Sequence, residues 1–292
     1  MPSARDIRRR IRGVRNIKQV TRAMNMIAAA RLRRAQAKAE AARPYAQRLT
    51  EILTDVAAAG GARHPLLERR EVRRVGLVII TSDRGLAGAF NANILREAGH
   101  FVAQQRVPTG IITVGKKGRD FLRARGVTVD EHFPQPSRDV RLEEVGAIRK
   151  RIIGDFLSGK YDQVWLAYAQ FISVLKSVPV VIPLLPLEPP TEAAGAPRQR
   201  AAYQFEPAGD ALLETLLPQY VEVVLYRALV ESLASEQAAR MVAMKAATDS
   251  ASEMIENLTR EYNRMRQDAI TKQLLEVVSG ADALAKAEQE MA

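Results

Sequence analysis

Apolar positions recur at helical spacing at both ends of the chain and gather into short continuous runs between them. Near the start, Ile7, Ile11, Val14, Ile17, Val20, Met24, Ile27, Leu32 and Ala35 follow one another at intervals of three or four residues, with one gap of five. That spacing predicts one face of a long helix. Ser3 precedes the run, and its hydroxyl can accept a free first-turn N–H as an N-cap. Pro44 is expected to kink or end the helix, because it lacks the N–H and crowds the preceding turn. From Gln219 to Ser279 there is neither glycine nor proline, which predicts roughly 90 Å of helix at 1.5 Å per residue. Val230, Gln237, Met244, Ala251, Leu258 and Met265 repeat every seven residues there, and so do Ala234, Met241, Thr248, Ile255, Tyr262 and Ala269. The two sets alternate by four and three, the heptad pattern of a coiled coil. The charges along this segment exclude a membrane span.

Between the two ends, strand and helix signals alternate. Val75 to Thr81, Gly110 to Gly115 and Val164 to Ala169 read as strands, and Phe90 to Gln105, Lys116 to Arg125 and Leu142 to Leu157 as helices. Val178 to Leu187 is strand-like, but Pro183 and Pro186 confine it to an edge or terminal position. Such alternation implies a mostly parallel sheet covered by helices. Glu188–Arg200, rich in Pro, Ala and Gly, reads as an exposed loop. The predicted fold is therefore α/β with long helices: N- and C-terminal helices paired as an antiparallel coiled coil, with a Rossmann-like α/β domain inserted between them. The boundaries fall at residues 1–58, 59–207 and 208–292. The seam is rich in Ala and includes polar Gln237 and Thr248, so it buries little area and contributes little hydrophobic stabilisation. This coil is expected to rely on outside partners.

Charge sharpens the picture. The chain has 292 residues, 44 Lys+Arg and 33 Asp+Glu, a net +11. Residues 1–43 hold thirteen of the bases and only two acids, Asp6 and Glu40, which leaves 31 of each sign elsewhere. The excess sits in one helix that lacks the usual i,i+4 pairing, which points to an acidic partner surface. There is no cysteine, hence no disulfide, thiol nucleophile or thiolate metal site. No apolar run is long enough to span a bilayer, and no secretory h-region follows the basic start.

Candidate chemistry is sparse. The loop Ser82-Asp83-Arg84-Gly85-Leu86-Ala87-Gly88 lies between strand and helix, where a doubly wound fold binds phosphate. It matches neither G-x-G-x-x-G nor G-x-x-x-x-G-K-[ST], and Asp83 would repel a phosphate, so a tight turn is the expectation. Gly115-Lys116-Lys117-Gly118 is too short for a phosphate loop. His64, His100 and His132 lie far apart, without acidic or Cys neighbours at ligand spacing. No catalytic residue, metal ligand or cofactor is expected.

Four segments carry a resemblance. Ser235-Glu236-Gln237-Ala238-Ala239-Arg240-Met241-Val242-Ala243-Met244-Lys245-Ala246-Ala247-Thr248-Asp249 resembles the γ subunits of F-type ATP synthases almost word for word. So does Ile270-Thr271-Lys272-Gln273-Leu274-Leu275-Glu276-Val277-Val278-Ser279-Gly280-Ala281, the region of the family signature, in which Ile270, Thr271, Glu276, Gly280 and Ala281 are candidate signature positions. Residues 17–29 and 81–91 match as well. Gln273 stands where the signature usually has Glu, Asp268-Ala269 replace small or hydroxyl residues, and the cysteine-bearing insertion of chloroplast versions is missing.

The resemblance implies a non-catalytic central-stalk rotor that couples proton-driven turning of the membrane c-ring to conformational cycling of the β-subunit catalytic sites. Its implied partners are three α and three β subunits, the ε subunit and the c-ring, on the cytoplasmic face of a bacterial plasma membrane and without insertion into it. Arg266, Gln267 and Thr271 would touch a catch loop of the β subunit, and Met24, Arg9 and Arg22 its acidic lever loops. Tyr203 and Glu206 would belong to the foot, on the c-ring beside ε. No nucleic acid is expected. Two other readings remain open at this level. One is a nucleic-acid binder using the basic helix against phosphates. The other is a nucleotide-dependent enzyme using the Ser82–Gly88 loop.

Overall fold

The computed structural model describes residues 4–58, 64–136, 140–187 and 209–291. Ser3, the expected N-cap, and the whole of the expected loop Glu188–Arg200 lie outside them. The elements in order are helix α1 (Ala4–Ala58), a single 3-10 turn (Pro65–Leu67), strand β1 (Val75–Ile80), helix α2 (Phe90–Gln104), β2 (Thr109–Val114), α3 (Lys116–Arg123), β3 (Glu131–Phe133), α4 (Leu142–Leu157), β4 (Gln163–Ser173), β5 (Lys176–Leu185) and α5 (Gly209–Met291). Contacts divide the chain into two compact units, Met1–Met26 with Ala243–Ala292, and Ile27–Val242.

The larger unit holds a five-stranded sheet in the order β3-β2-β1-β4-β5. β1 runs parallel to both β2 and β4, and β2 parallel to β3, while β5 returns antiparallel along β4. Every residue of β1 is buried, as a central strand covered on both faces requires. Leu77, Ile79, Ile111, Ala167 and Ala169 meet Phe90, Ile94 and Ala98 of α2 on one face. Val78, Ile80, Ile112, Val114 and Leu166 meet Val145, Ile148, Ile152 and Phe156 of α4 on the other. Leu49 and Leu53 of α1 and Leu213 to Leu233 of α5 complete that second core. Each such large side chain, fully buried, stabilises the fold by about 1.5–3 kcal/mol.

β5 is an edge strand, as its prolines suggested. Pro179 and Pro183 stand opposite Ala169 and Trp165. Neither can donate to a ladder, so both occupy the alternate positions whose N–H would otherwise point to the open edge. Two corrections concern the helices. Pro44 does not end α1, which continues through it to Ala58, and α5 carries Pro218 inside it, so the helix runs from Gly209 and not only from the proline-free stretch at Gln219. β3, three half-buried residues, was not foreseen.

At the amino end of the sheet, Tyr161 is fully buried and its hydroxyl donates to Asp130, which Arg74 and Lys160 also approach, at 3.3 and 3.7 Å. Gly110 makes the room: a Cβ there would stand 2.6 Å from the Tyr161 hydroxyl. Burial first, then the Asp130 carboxylate, pushes the Tyr161 phenol well above its usual range. Burial and the nearby Glu231 charge push Tyr168 up to about 12. A folded-state value above the unfolded one means that neutral tyrosine stabilises the fold fully below pH 10, and that this contribution is lost as pH climbs from 10 toward 12. Base titration followed by circular dichroism should show unfolding in that window, shallower in Tyr168→Phe. An equally steep transition in the variant would count against this assignment.

Candidate partner interface

In the smaller unit, α1 and α5 pair antiparallel. Arg8 lies over the Tyr262 ring, 5.2 Å from its centroid, and donates to its hydroxyl, while Thr21 and Thr248 share a hydrogen bond of 2.7 Å. The α5 side of the seam follows the expected heptads: Met244 and Ala251 are buried, and Thr248, Ile255, Leu258, Tyr262 and Met265 half-buried, whereas Ala269 is exposed.

The α1 side differs from expectation. Its seam row in this unit is Ile7, Ile11, Val14, Lys18, Thr21 and Asn25, buried or half-buried at alternating steps of four and three, with Asp6 and Met24 half-buried beside it. In the larger unit Ala28, Leu32, Ala35, Ala39, Ala42, Ala46, Leu49 and Leu53 show the same alternation. Ile17, Val20 and Ile27, expected in the seam, are instead 57%, 58% and 53% exposed. Beyond Val14, which with Ile7 and Ile11 belongs to the seam, the helix thus carries two apolar rows. The coil takes the one with smaller and more polar side chains, because these let two helices approach closely, and the bulkier row faces out.

That outer row runs beside the basic side chains. Arg9 and Arg22 are exposed and Met24 is half-buried. Arg9 is held 3.0 Å from Asp6 one turn away, an exposed pair of small worth. Toward the end of α5, residues 266–281 are all exposed, among them Arg266, Gln267, Ile270, Thr271, Glu276, Gly280 and Ala281. Ile270, Leu274, Leu275, Val277 and Val278 present large apolar surface there. Exposed apolar area on this scale, next to unbalanced positive charge, is the mark of a partner interface. Tyr203 and Glu206 lie outside the described residues.

The Ser82–Gly88 loop is a turn pinned from within. The Ser82 hydroxyl donates to Arg84 O at 2.7 Å, and the Ser82 amide to Asn91 Oδ1 at 2.9 Å. Its acceptors are spent on α3: Asp83 Oδ1 accepts from the Lys116 amide at 2.8 Å, Ser82 O from Lys117 at 3.0 Å and Thr81 Oγ1 from Gly118 at 2.9 Å. The glycines of the 115–118 turn exist for this close approach of Thr81. A Cβ on Gly118 would lie 2.8 Å from Thr81 Oγ1.

The same loop reaches α5 through residues that no motif singled out. Asp83 N donates to Gln135 Oε1 at 3.0 Å, and Gln135 Nε2 donates to Glu236 Oε2 at 2.6 Å. Glu236 Oε1 accepts from Arg240 at 2.6 Å, and Arg240 also donates to Gly85 O at 3.0 Å. The Arg240 and Glu236 side chains are only 8% and 4% exposed.

The histidines stay apart. His64 Nδ1 accepts from the Leu66 amide at 3.1 Å, His132 shares a 3.1 Å bond with Thr113, and His100 is exposed. Burial is the main cause that lowers both His64 and His132 below the usual imidazole value. Among the described residues no three His, Cys, Asp or Glu side chains converge as a metal site, and no helix is long and apolar enough to cross a membrane.

A basic antiparallel helix pair with exposed apolar surface, and an α/β domain whose sheet is covered on both faces, define the class: an α/β protein with long terminal helices fitted for partner contact. The ATP synthase family profile matches residues 3–284. The ATP synthase gamma chain of Desulforamulus reducens is 47% identical over 97% of this chain and all of its own length, and that of Roseiflexus castenholzii 44% identical over 98% and all of its own. This chain belongs to the ATP synthase gamma chain family. Among solved structures, a chain of the Tetrahymena thermophila mitochondrial ATP synthase central stalk and c-ring is 27% identical, with TM-score 0.59 over 78% of this chain and 99% of that one. A chain of the Euglena gracilis mitochondrial ATP synthase shares the fold at 18% identity, with TM-score 0.68 over 98% of this chain and 95% of that one.

Proposed function

We propose that this chain is the central-stalk rotor subunit of a proton-transporting ATP synthase, coupling rotation of the membrane c-ring to the catalytic cycle of the β subunits. The observation that carries this reading is the coil's outer surface, an apolar row on α1 beside bases that far outnumber its acids, and an apolar α5 terminus. Full-length relatives named as gamma chains support it. Residues 1–58 and 208–292 supply the shaft, and 59–207 the foot that meets the c-ring and ε. Arg266, Gln267 and Thr271, with Met24, Arg9 and Arg22, meet the β subunits, and Tyr203 and Glu206 meet the c-ring and ε.

The chain acts from the cytoplasmic face of a bacterial plasma membrane and has no catalytic site of its own. A shaft biases a site only through contacts that differ between that site's states. Arg suits this role, because it keeps its charge when partly buried and forks onto carboxylates. The nucleotide-enzyme reading loses ground, because the loop's acceptors cap α3 and Asp83 sits among them.

The test is to mix the purified chain with α and β subunits from the same source, then combine gel filtration with an ATPase assay. One such chain per three αβ pairs should comigrate, with steady MgATP hydrolysis that truncation before Arg266 weakens about tenfold, the loss expected when positioning contacts go. Failure to comigrate, with αβ activity unaltered, would sink the rotor reading.

A further inference from the structure

Most of what holds α5 within the larger unit is apolar and non-directional. Leu213, Leu217, Val221, Leu225 and Leu229 bury against the sheet and α4, and Ala234 and Ala238 meet Leu32 and Ala35. Such contacts resist separation, but they set a helix's rotation about its own axis only loosely, since hydrophobic burial has no preferred direction. Directional ties are fewer: Ser235 Oγ donates to Ala169 O at 3.1 Å, Arg149 of α4 pairs with Glu222 at 2.7 Å, and the bonds at Glu236 and Arg240 reach the loops. These last are charge-assisted and centred on two side chains, Glu236 and Arg240, that are buried, and they fix direction as well as distance.

They also tie α5 to two separate loops at the carboxyl end of the sheet. Gln135 belongs to the loop after β3, and Gly85 to the loop after β1. Asp83 joins these two loops to each other and to the start of α3. Arg240 lies two residues before Val242, where the larger unit ends on α5. The attachment therefore holds the last turn of α5 inside that unit.

We propose that Gln135, Glu236, Arg240 and the Gly85 carbonyl form a torsional clamp, fixing the angle of α5 against the sheet so that torque entering the α/β domain passes to α5 without slack. The proposal rests on the rotor reading. Gln135 and Arg240 are positioning residues within it: they touch no nucleotide and act through the stiffness of the joint. Opening the clamp is costly because the Glu236–Arg240 pair at its centre is buried, and a buried carboxylate stripped of its partners is penalised strongly. Gln135 is the informative position, since its removal cuts one loop from α5 and leaves the Glu236–Arg240 pair intact.

The experiment uses the assembled αβγ complex, fixed through its β subunits. The chain has no native cysteine, so His100→Cys on the exposed side of α2 takes a single bead. The angular spread of the bead is recorded with the rotor arrested, alongside rotation and hydrolysis at saturating MgATP. Gln135→Ala should widen the angular variance about twofold, and Arg240→Lys should do likewise, because an ammonium on one stem does not fork to both Glu236 and Gly85. Hydrolysis in both should stay within about twofold of the parent, since no catalytic contact is altered. Unchanged variance in Gln135→Ala, with normal rotation, overturns the clamp whether or not the Arg240 variant assembles. A parent bead that never turns on MgATP is a separate outcome, and it overturns the rotor reading itself.

Discussion

Gly115→Ala is expected to lower the unfolding free energy by about 3 kcal/mol or more, the sum of a left-handed backbone penalty and a steric clash. Gly115 has φ +96°. A Cβ there would lie 2.1 Å from the Thr81 carbonyl oxygen and 2.7 Å from its carbon. These are backbone atoms at the end of a fully buried strand, so they cannot swing away as a side-chain tip would. Gly115 also donates to Phe133 O at 2.9 Å, and Thr81 N donates to Val114 O at 2.8 Å. Any shift that relieves the clash therefore strains the ladders joining β1, β2 and β3. A domain of this kind has only about 5–15 kcal/mol to lose. Urea titration should show a lower midpoint at an unchanged slope, and a midpoint equal to the parent's would refute the close approach of Thr81.

Arg240→Ala should cost about 3–5 kcal/mol, the usual penalty for removing one partner from a buried ion pair. Glu236 would keep only Gln135 as a donor, while its second oxygen faced an interior that water does not reach. Replacing both partners with apolar residues, as in Glu236→Leu with Arg240→Met, should recover much of the loss, because no stranded charge remains. The comparison separates desolvation from packing. If the double variant melts at or below the temperature of Arg240→Ala, stranded charge is not the cause of the damage. The double variant keeps neither bond to the loops, so a regain of stability would not restore the fixed angle of α5.

The sheet was legible because its strands are the kind that sequence marks clearly. β1 is six buried residues, Val-Gly-Leu-Val-Ile-Ile, and β5 carries the prolines that assign it to an edge. β3 escaped notice because Glu131-His132-Phe133 has neither length nor apolar character, and it pairs only through Ile112, Thr113 and Val114 of β2. The α5 heptads were readable from spacing alone. The α1 seam was misread for a physical reason: a search that follows large side chains finds Ile17, Val20 and Ile27, whereas close helix pairing selects Thr21, Asn25 and Ala28.

The surface candidates Arg9, Arg22, Arg266, Gln267 and Thr271 fall on exposed helix faces. Their identity came from resemblance, since an exposed arginine carries no local mark of its partner. Gln135 could not be found that way. It lies 101 residues from Glu236 in sequence, in a loop without a motif. Only the fold brings an amide and a carboxylate so far apart in the chain within bonding distance.

The prolines of β5 also matter before any assembly exists. A subunit of a multichain complex leaves the ribosome alone and waits for its partners at whatever concentration synthesis sets. An open strand with a full row of donors would let two waiting copies zip together edge to edge. Pro179 and Pro183 leave gaps in that row. On this side of the molecule, the interval between synthesis and incorporation is made safer by two residues that contribute nothing to the ladder.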